Sequence, residues 1–357
     1  MADKRKAPPL GGGELMLSKR ARQGPSSDGY ALIHRQDRTS SLAAPVMALT
    51  EAHTAEILDV KFAPDGFTIA AASCDRTISL WETFGEHRNI GQLAGHKNAV
   101  TCLAWVSVSG DDRLLVSGSA DGTLVLWKTS TGERIRRLRG HRGIVNSVAC
   151  TRSGDGCIAS ASDDGRVLFW DLESRYPISS LELGYPVTCV EFSDDAAQLF
   201  VGGVDNAIHV IDLATKERVY SLLGHTNSVT SLSLSRTGTH LLSCGLDDTV
   251  RVWDVRPYAA PKVDAKGNAR LHRTLLGMAS GFENLLLKAA WSPDGECVAC
   301  GGADHTSNIW NVEKGTLLFK LPGHRGTCTA VDFHPREPIL VSASTDCTML
   351  LGELDSD

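Results

Sequence analysis

One pattern recurs seven times along the chain and constrains the fold more than any other feature. An aspartate stands six residues before a position that is usually tryptophan, and successive units mostly lie 41 to 46 residues apart. The aspartates are Asp75, Asp121, Asp164, Asp205, Asp247, Asp304 and Asp346. The positions six residues later are Trp81, Trp127, Trp170, Ile211, Trp253, Trp310 and Gly352. A fixed period of this length indicates repeated units that each pack against their neighbours.

Each unit has the pattern of short antiparallel strands. A Gly-His pair opens many units, as at Gly140-His141, and an alternating run then ends in a bulky residue such as Phe62 or Trp291. A turn of the type Pro64-Asp65-Gly66 often follows. Alternation punctuated by such turns predicts about four strands for each unit, here named a to d in chain order.

A period near 42 residues with Gly-His and Trp-Asp signatures resembles the WD-repeat β-propeller family. The resemblance implies an all-β, seven-bladed propeller over residues 41–357, preceded by a flexible basic tail over residues 1–40. The last unit ends after strand c, whereas the segment "SLAAPVMAL" (Ser41–Leu49) is apolar and strand-like. We therefore predict that this N-terminal segment closes the ring as strand d of the last blade and protects its edge.

Three units contain a complete set of histidine, serine, aspartate and tryptophan. The sets are His96, Ser117, Asp121, Trp127; His141, Ser160, Asp164, Trp170; and His225, Ser243, Asp247, Trp253. Serine, histidine and aspartate together also suggest a hydrolase, but a catalytic triad occurs once and has an oxyanion hole. The family resemblance implies a buried hydrogen-bonded chain instead. We expect no enzyme, no cofactor and no metal site.

Other units depart from this set. Unit one has Ala71 at the serine position, unit seven has Gly352 in place of the tryptophan, and unit four lacks both the histidine and the tryptophan. Those blades are expected to rely more on apolar packing.

Charge is distributed unevenly along the chain. The net charge is −6, but residues 1–40 hold eight lysines and arginines against four acids, which leaves −10 for the rest. The basic residues of the tail form two groups, Lys4, Arg5, Lys6 and Lys19, Arg20, Arg22. This spacing predicts a bipartite nuclear import signal and a nuclear location, and an ordinary solvated charge run is the alternative. An acidic body argues against broad nucleic-acid binding, and no apolar run is long enough to span a membrane.

Two surfaces are candidates for partner binding. An apolar rim is predicted at the end of the ring that carries the d–a and b–c connections. Its residues are Leu58, Ile144, Val204, Leu246, Leu285 and Leu287. The second surface is a basic loop after strand c of unit five, where the spacing lengthens to 57 residues. Its predicted contact residues are Arg256, Tyr258, Lys262 and Lys266, facing an acidic protein surface or an RNA backbone, with a tolerated insertion as the alternative.

Longer segments carry a narrower resemblance. "DDTVRVWDVRPYAAP", "ENLLLKAAWSPDG" and "VDFHPREPILVSASTD" closely resemble the family of WD-repeat (40 kDa-type) subunits of the spliceosomal U5 small nuclear ribonucleoprotein. The resemblance implies a monomeric, non-catalytic splicing scaffold that docks on the large U5 core protein beside neighbouring spliceosome subunits. RNA would be contacted indirectly or through the basic tail and loop.

Two other functions remain open from the sequence. The run from Trp253 to Arg256 matches the WDxR box of substrate receptors for cullin-type ubiquitin ligases. Direct binding of single-stranded RNA by the propeller is the other alternative, although no stacking platform is evident.

Overall fold

A computed structural model of the protein describes residues 40–42, 44–106, 114–257 and 270–354, together with two short strands near the N-terminus. The chain divides into two units, 1–39 and 40–357. In the first unit Leu17–Ser18 pairs antiparallel with Ala31–Leu32. Within these described ranges there is no helix of any kind, and hence none that could cross a membrane.

The second unit is a ring of seven antiparallel sheets, each with four strands in the order a, b, c, d. Blade one comprises Ile57–Phe62, Thr68–Ser73, Thr77–Glu82 and Asn89–Ala94. Blade two comprises Val100–Val106, Leu114–Ser119, Thr123–Lys128 and Glu133–Arg139. Blade three comprises Val145–Cys150, Ile158–Ser162, Arg166–Trp170 and Ser179–Glu182. Blade four comprises Val187–Phe192, Gln198–Gly203, Ala207–Asp212 and Arg218–Leu223.

The remaining three blades follow the same plan. Blade five comprises Val229–Leu234, His240–Gly245, Thr249–Asp254 and Leu271–Leu276. Blade six comprises Ala289–Trp291, Cys297–Gly301, Thr306–Asn311 and Thr316–Pro322. Blade seven comprises Cys328–Phe333, Ile339–Ser344, Met349–Glu353 and, from the start of the chain, Val46–Leu49. The all-β, seven-bladed propeller expected from the sequence is confirmed.

The predicted closure of the ring is confirmed as well. Val46–Leu49 pairs antiparallel with Met349–Glu353, so the first strand of the ring completes its last blade. The strand is shorter than the predicted segment Ser41–Leu49, because the residues before it are held by side chains instead. Glu353 accepts a hydrogen bond from the backbone N–H of Ser40 at 2.8 Å, and Glu337 accepts one from that of Ser41 at 2.7 Å.

The core lies between neighbouring blades. Strands b are buried along almost their whole length, because adjacent sheets cover both faces, and they consist largely of small and apolar residues. Trp170 and Leu168 of blade three, for example, share a cluster with Val116 of blade two. Strands d form the outer wall and expose apolar side chains such as Ile90 and Val219. Each end of the ring is therefore formed by connecting loops on a rigid support.

Candidate partner-binding surfaces and the network that shapes them

In blade three, four polar side chains form a continuous hydrogen-bonded chain. The indole N–H of Trp170 donates to the Ser160 hydroxyl at 2.8 Å, and that hydroxyl lies 2.7 Å from Nε2 of His141. Nδ1 of His141 lies 2.9 Å from the carboxylate of Asp164. A carboxylate only accepts, so Nδ1 carries the proton and Nε2 accepts from Ser160. With a neutral imidazole, each of the four side chains therefore has a hydrogen-bond partner.

The chain ties two loops together at one end of the blade. His141 lies in the loop that enters blade three, whereas Asp164 lies in the turn between strands b and c. Asp164 also accepts a hydrogen bond from the backbone N–H of Arg142 at 2.9 Å. Burial alone would raise the pKa of Asp164, but its hydrogen bonds from Arg142 and His141 lower that pKa overall. Burial lowers the pKa of His141 despite the neighbouring carboxylate, in agreement with a neutral ring.

Blades five and two repeat this arrangement with one difference. In blade five, Ser243 lies 2.7 Å from His225 and 2.8 Å from the Trp253 indole nitrogen, and His225 lies 3.0 Å from the Asp247 carboxylate.

In blade two, Ser117 lies 2.7 Å from His96 and 2.8 Å from the Trp127 indole nitrogen. Nδ1 of His96, however, stands 3.5 Å from Asp121, which accepts a 2.8 Å hydrogen bond from the backbone N–H of Lys97. The histidine–aspartate contact is therefore weakest in blade two.

Blade one contains a network that the sequence did not predict. Ser79 on strand c takes the place of the missing strand-b serine: it lies 2.9 Å from the Trp81 indole nitrogen and 2.7 Å from Nε2 of His53. Nδ1 of His53 lies 2.8 Å from Asp75. Ser79 stands directly opposite Ala71 in the sheet, so its hydroxyl reaches the same point from the neighbouring strand. The expectation that blade one relies more on apolar packing than the complete units is wrong.

Blade four uses the same strand-c position in a different way. His209 stands two residues before Ile211, as Ser79 stands two residues before Trp81. Its Nε2 lies 2.6 Å from Asp205 and its Nδ1 lies 2.8 Å from the Ser221 hydroxyl. The turn aspartate therefore keeps a histidine partner, which now comes from the sheet and not from the entering loop.

The geometry of these networks does not suit hydrolysis. Ser117, Ser160 and Ser243 are fully buried, so a substrate carbonyl has no path to their hydroxyl groups. Within the described ranges, no cluster of three or more His, Cys, Asp or Glu side chains could hold a metal ion. The networks position the entering loops and the b–c turns, which together form the surface at one end of the ring.

The apolar rim is only partly exposed. Ile144 and Val204 are 40% and 44% exposed, and both lie at the end of the ring that carries the histidine–aspartate contacts. Leu58, Leu246 and Leu285 are half-buried.

Leu287 is a correction to the predicted rim. It is only 1% exposed, because it packs in the core between blades five and six. The sequence reasoning also missed Phe282, which is fully exposed on the same end of the ring. The sequence feature that could have indicated this exposed residue is the Gly281-Phe282 pair, which stands where other units have Gly-His.

The base of the basic loop in blade five is held firmly. The Arg256 guanidinium contacts both carboxylate oxygens of Asp254, with Nε at 2.9 and 3.2 Å. Arg270 donates to the carbonyl oxygen of Arg256 at 2.8 Å and lies 4.6 Å from the centre of the Tyr220 ring. The charge of Arg256 is therefore largely offset by Asp254.

Several predicted residues lie outside the described ranges. They are the loop residues Tyr258, Lys262 and Lys266 and the tail residues Lys4, Arg5, Lys6, Lys19, Arg20 and Arg22. Their proposed roles stay predictions.

The ring of seven four-stranded sheets with its recurring His–Ser–Asp–Trp network defines a WD-repeat β-propeller. The family model "WD domain, G-beta repeat" matches seven segments, residues 45–82, 87–128, 132–171, 176–212, 216–254, 280–311 and 315–351. The first match joins the closing strand Val46–Leu49 to strands a to c of blade one. The sequence repeat is thus offset by one strand from the structural blade.

Similar proteins narrow the family further. The chain is 42% identical over 334 residues to the human "U5 small nuclear ribonucleoprotein 40 kDa protein", covering 94% of this chain and 90% of the human one. It is 38% identical over 330 residues to the protein of the same name from Dictyostelium discoideum, covering 92% and 90%. It is 38% identical over 318 residues to the "Pre-mRNA-splicing factor cwf17" of Schizosaccharomyces pombe, covering 89% and 90%. The chain belongs to this family of U5 40 kDa WD-repeat proteins.

Proposed function

We propose that the protein is a non-catalytic scaffold of the U5 small nuclear ribonucleoprotein in pre-mRNA splicing, located in the nucleus. The observation that carries this proposal is the identity of 38% to 42% over about nine-tenths of both chains to proteins named for the U5 particle and for splicing. Coverage of this extent is far greater than one or two WD repeats would give.

The structure supports a scaffold role. The ring is closed, its candidate serine nucleophiles are buried, and histidine–aspartate contacts hold the entering loops of blades one, three and five. A rigid propeller of this kind presents surfaces to other proteins without having to reorganise on binding. The partners we propose are the large U5 core splicing protein and neighbouring spliceosome subunits, with the protein present as a monomer in the complex. RNA would be contacted indirectly or through the basic tail and loop.

The apolar rim is the surface that we assign to the large partner protein. Ile144 and Val204 are exposed on blades three and four, and half-buried Leu58 and Leu246 add apolar area around the same end of the ring. Exposed apolar side chains grouped on a folded surface mark protein contacts. Phe282, which is fully exposed, belongs to the same surface.

The cullin alternative has no support from the relatives, which are named for splicing. In the structure, Trp253 of the WDxR run is completely buried in the blade-five network. Arg256 of the same run is bound to Asp254. The fold therefore accounts for these residues without a ligase adaptor.

Affinity purification of the tagged protein from nuclear extract tests the proposal. We expect recovery of U5 RNA together with the large core protein. Recovery of a cullin adaptor without U5 components would overturn the splicing role.

A rim variant tests the surface separately. The double variant Ile144→Asp, Val204→Asp is expected to lose U5 components while its melting temperature stays close to that of the wild type. Val219→Asp is a matched control, because Val219 is 54% exposed but lies on the outer wall of blade four. Equal recovery of U5 components by both proteins would place the contact elsewhere.

A further inference from the structure

A cleft with an arginine-rich mouth lies at the end of the ring opposite the histidine–aspartate contacts. It has a volume of about 530 Å³ and is lined by the turns that follow strands a of several blades. Arg152 contributes from blade three, Arg236 from blade five and Arg336 from blade seven, with Trp291 of blade six between them. Neither the rim nor the basic loop includes these residues.

Arg152 is already fixed as part of the wall. Its guanidinium donates to the carbonyl oxygens of Leu234 and Ser235 at 2.8 and 2.9 Å, so it reaches across to blade five. Asp194, which lies 3.4 Å from the same guanidinium, offsets its charge only partly, because both side chains are well exposed. These hydrogen bonds link blades three and five across the wall of the cleft in the absence of any partner.

Arg236 and Arg336 are different, because nothing in the described part of the chain pairs with their guanidinium groups. Both are exposed, and both face the same cleft. Among the described residues that line the cleft the only acid is Asp332, which accepts a hydrogen bond from the backbone N–H of Phe62 at 2.8 Å and lies 3.6 Å from Lys61. Two unpaired positive charges therefore remain at the mouth, on a body that is acidic overall.

The rest of the lining is mostly apolar, with Ser233 and Ser292 as its polar members. Pro64, Pro293 and Pro335 contribute ring carbons, and Phe333 and Leu234 lie deeper. Trp291 is half-buried, and its indole N–H donates to the Ser233 carbonyl oxygen at 3.0 Å, which fixes the ring in the wall. A nucleotide base requires an open aromatic face for stacking, whereas this lining suits aliphatic side chains flanked by carboxylates.

We propose that this cleft binds an acidic, leucine-containing peptide segment of a partner protein, with Arg236 and Arg336 each holding a carboxylate. Guanidinium groups match carboxylates in a planar, two-point geometry, and prolines on the wall add apolar contact without loss of side-chain freedom. The site is separate from the apolar rim, so one propeller can hold two partner segments at opposite ends.

Fluorescence anisotropy with the full chain tests this site. The probe is a fluorescein-labelled peptide of alternating glutamate and leucine, and the control probe has glutamine in place of each glutamate. We expect saturable binding of the acidic probe only, weakened at least about tenfold in the double variant Arg236→Gln, Arg336→Gln. Added salt should weaken binding by the wild type more than residual binding by the variant.

A matched control removes two charges at the other end of the ring. Lys97 and Arg325 are exposed, and each follows the histidine of a blade network. The variant Lys97→Gln, Arg325→Gln should bind the acidic probe like the wild type, and thermal melts should show that both double variants are folded. The proposal is overturned by absent binding to the wild type, by equal weakening in both variants, or by an oligouridine that binds at Arg236 and Arg336 where the peptide does not.

Discussion

Blades three and six each have a tryptophan at the equivalent position of strand c, but the indole N–H donates to a different kind of acceptor in each blade. In blade three the Trp170 indole donates to Ser160, which continues to His141 and Asp164. In blade six the Trp310 indole donates to the backbone carbonyl oxygen of Leu276 at 2.9 Å. Both indoles are fully buried and hydrogen-bonded. A blade therefore requires a partner for its tryptophan, but that partner need not belong to a network.

What blade six loses is the histidine–aspartate link between its entering loop and its b–c turn, although the backbone N–H of Ala303 still donates to the Ala279 carbonyl oxygen at 2.7 Å. Cys300 stands at the serine position, and Phe282 stands after the glycine where other units have histidine. The turn aspartate, Asp304, pairs with Lys320 at 2.5 Å instead. Asn308 is buried, yet neither its amide nitrogen nor its amide oxygen has a partner within the described ranges. The loop that enters blade six is held instead by Ser280, which donates to Asp248 of blade five at 2.7 Å, and it exposes Phe282 at the position of the missing histidine.

The largest effect is expected from removing the closure on which every blade depends. Deleting residues 41–49 removes the burial of Leu42 and Leu49, which alone contributes about 3–6 kcal/mol, and leaves the edge of Met349–Glu353 unpaired. Thermal melting should show a much lower transition temperature and aggregation. Deleting residues 2–10 is a control of equal length. A melting temperature that stays unchanged without residues 41–49 contradicts the closure.

The next effect compares equivalent positions of the two blades. His141→Ala leaves Asp164 and Ser160 each short of a partner and should reduce the free energy of unfolding by about 1–3 kcal/mol. Phe282→Ala should change it by less than about 0.5 kcal/mol, because the side chain is fully exposed. Urea denaturation measures both. Equal losses would mean that the network does not distinguish the blades.

A third substitution should have the opposite sign. Asn308→Leu keeps the branched shape of the side chain and removes two buried polar atoms that have no partner in the described ranges, so it should stabilise the protein by about 1 kcal/mol. Ser160→Ala in blade three should destabilise it, because the Trp170 N–H and His141 lose their common partner. If both substitutions destabilise the protein equally, the Asn308 amide must have hydrogen-bond partners in solution. Blades three and six would then differ less in how their buried polar groups are paired.

The smallest effect is a dependence on pH. Burial lowers the pKa values of His141 and His324 below 6.5, so the unfolded chain takes up protons more readily than the folded one. Their contribution is present above pH 6.5 and is lost as the pH falls through the lower folded values. Burial also lowers the pKa values of His240 and His334, which add to the same trend.

Urea denaturation at about pH 7.5 and about pH 5.5 should therefore show lower stability in acid. The double variant His141→Ala, His324→Ala should show a shallower dependence than the wild type. A wild-type protein that becomes more stable on acidification would contradict neutral, buried histidines.

The fold was predictable because its signal repeats. Each blade carries its own turn aspartate, so a departure in one unit, such as Gly352 at the tryptophan position, leaves the period intact. The closing strand was predictable because the last unit lacks one strand and an apolar segment precedes the first. Both inferences need only a count of strands in each unit.

The networks of blades one and four were harder to predict, because they depend on neighbours across the sheet. Ser79 and His209 share a register position two residues before the tryptophan site, and each interrupts an apolar strand. Reading strand b alone shows Ala71 and hides the serine directly opposite. Burial of Leu287 and exposure of Phe282 depend on how one long loop packs between two blades, which no local pattern specifies.

Closure by the first strand also determines when the ring can close during synthesis on the ribosome. Val46–Leu49 is synthesised at the start, and its partner strand Met349–Glu353 about 300 residues later. At 5–20 residues per second, the nascent chain carries an unpaired apolar strand for about 15–60 seconds. Individual blades are built from neighbouring segments, but the ring can close only after Met349–Glu353 has been synthesised. A chain that stops before Met349–Glu353 therefore leaves Val46–Leu49 without its partner strand.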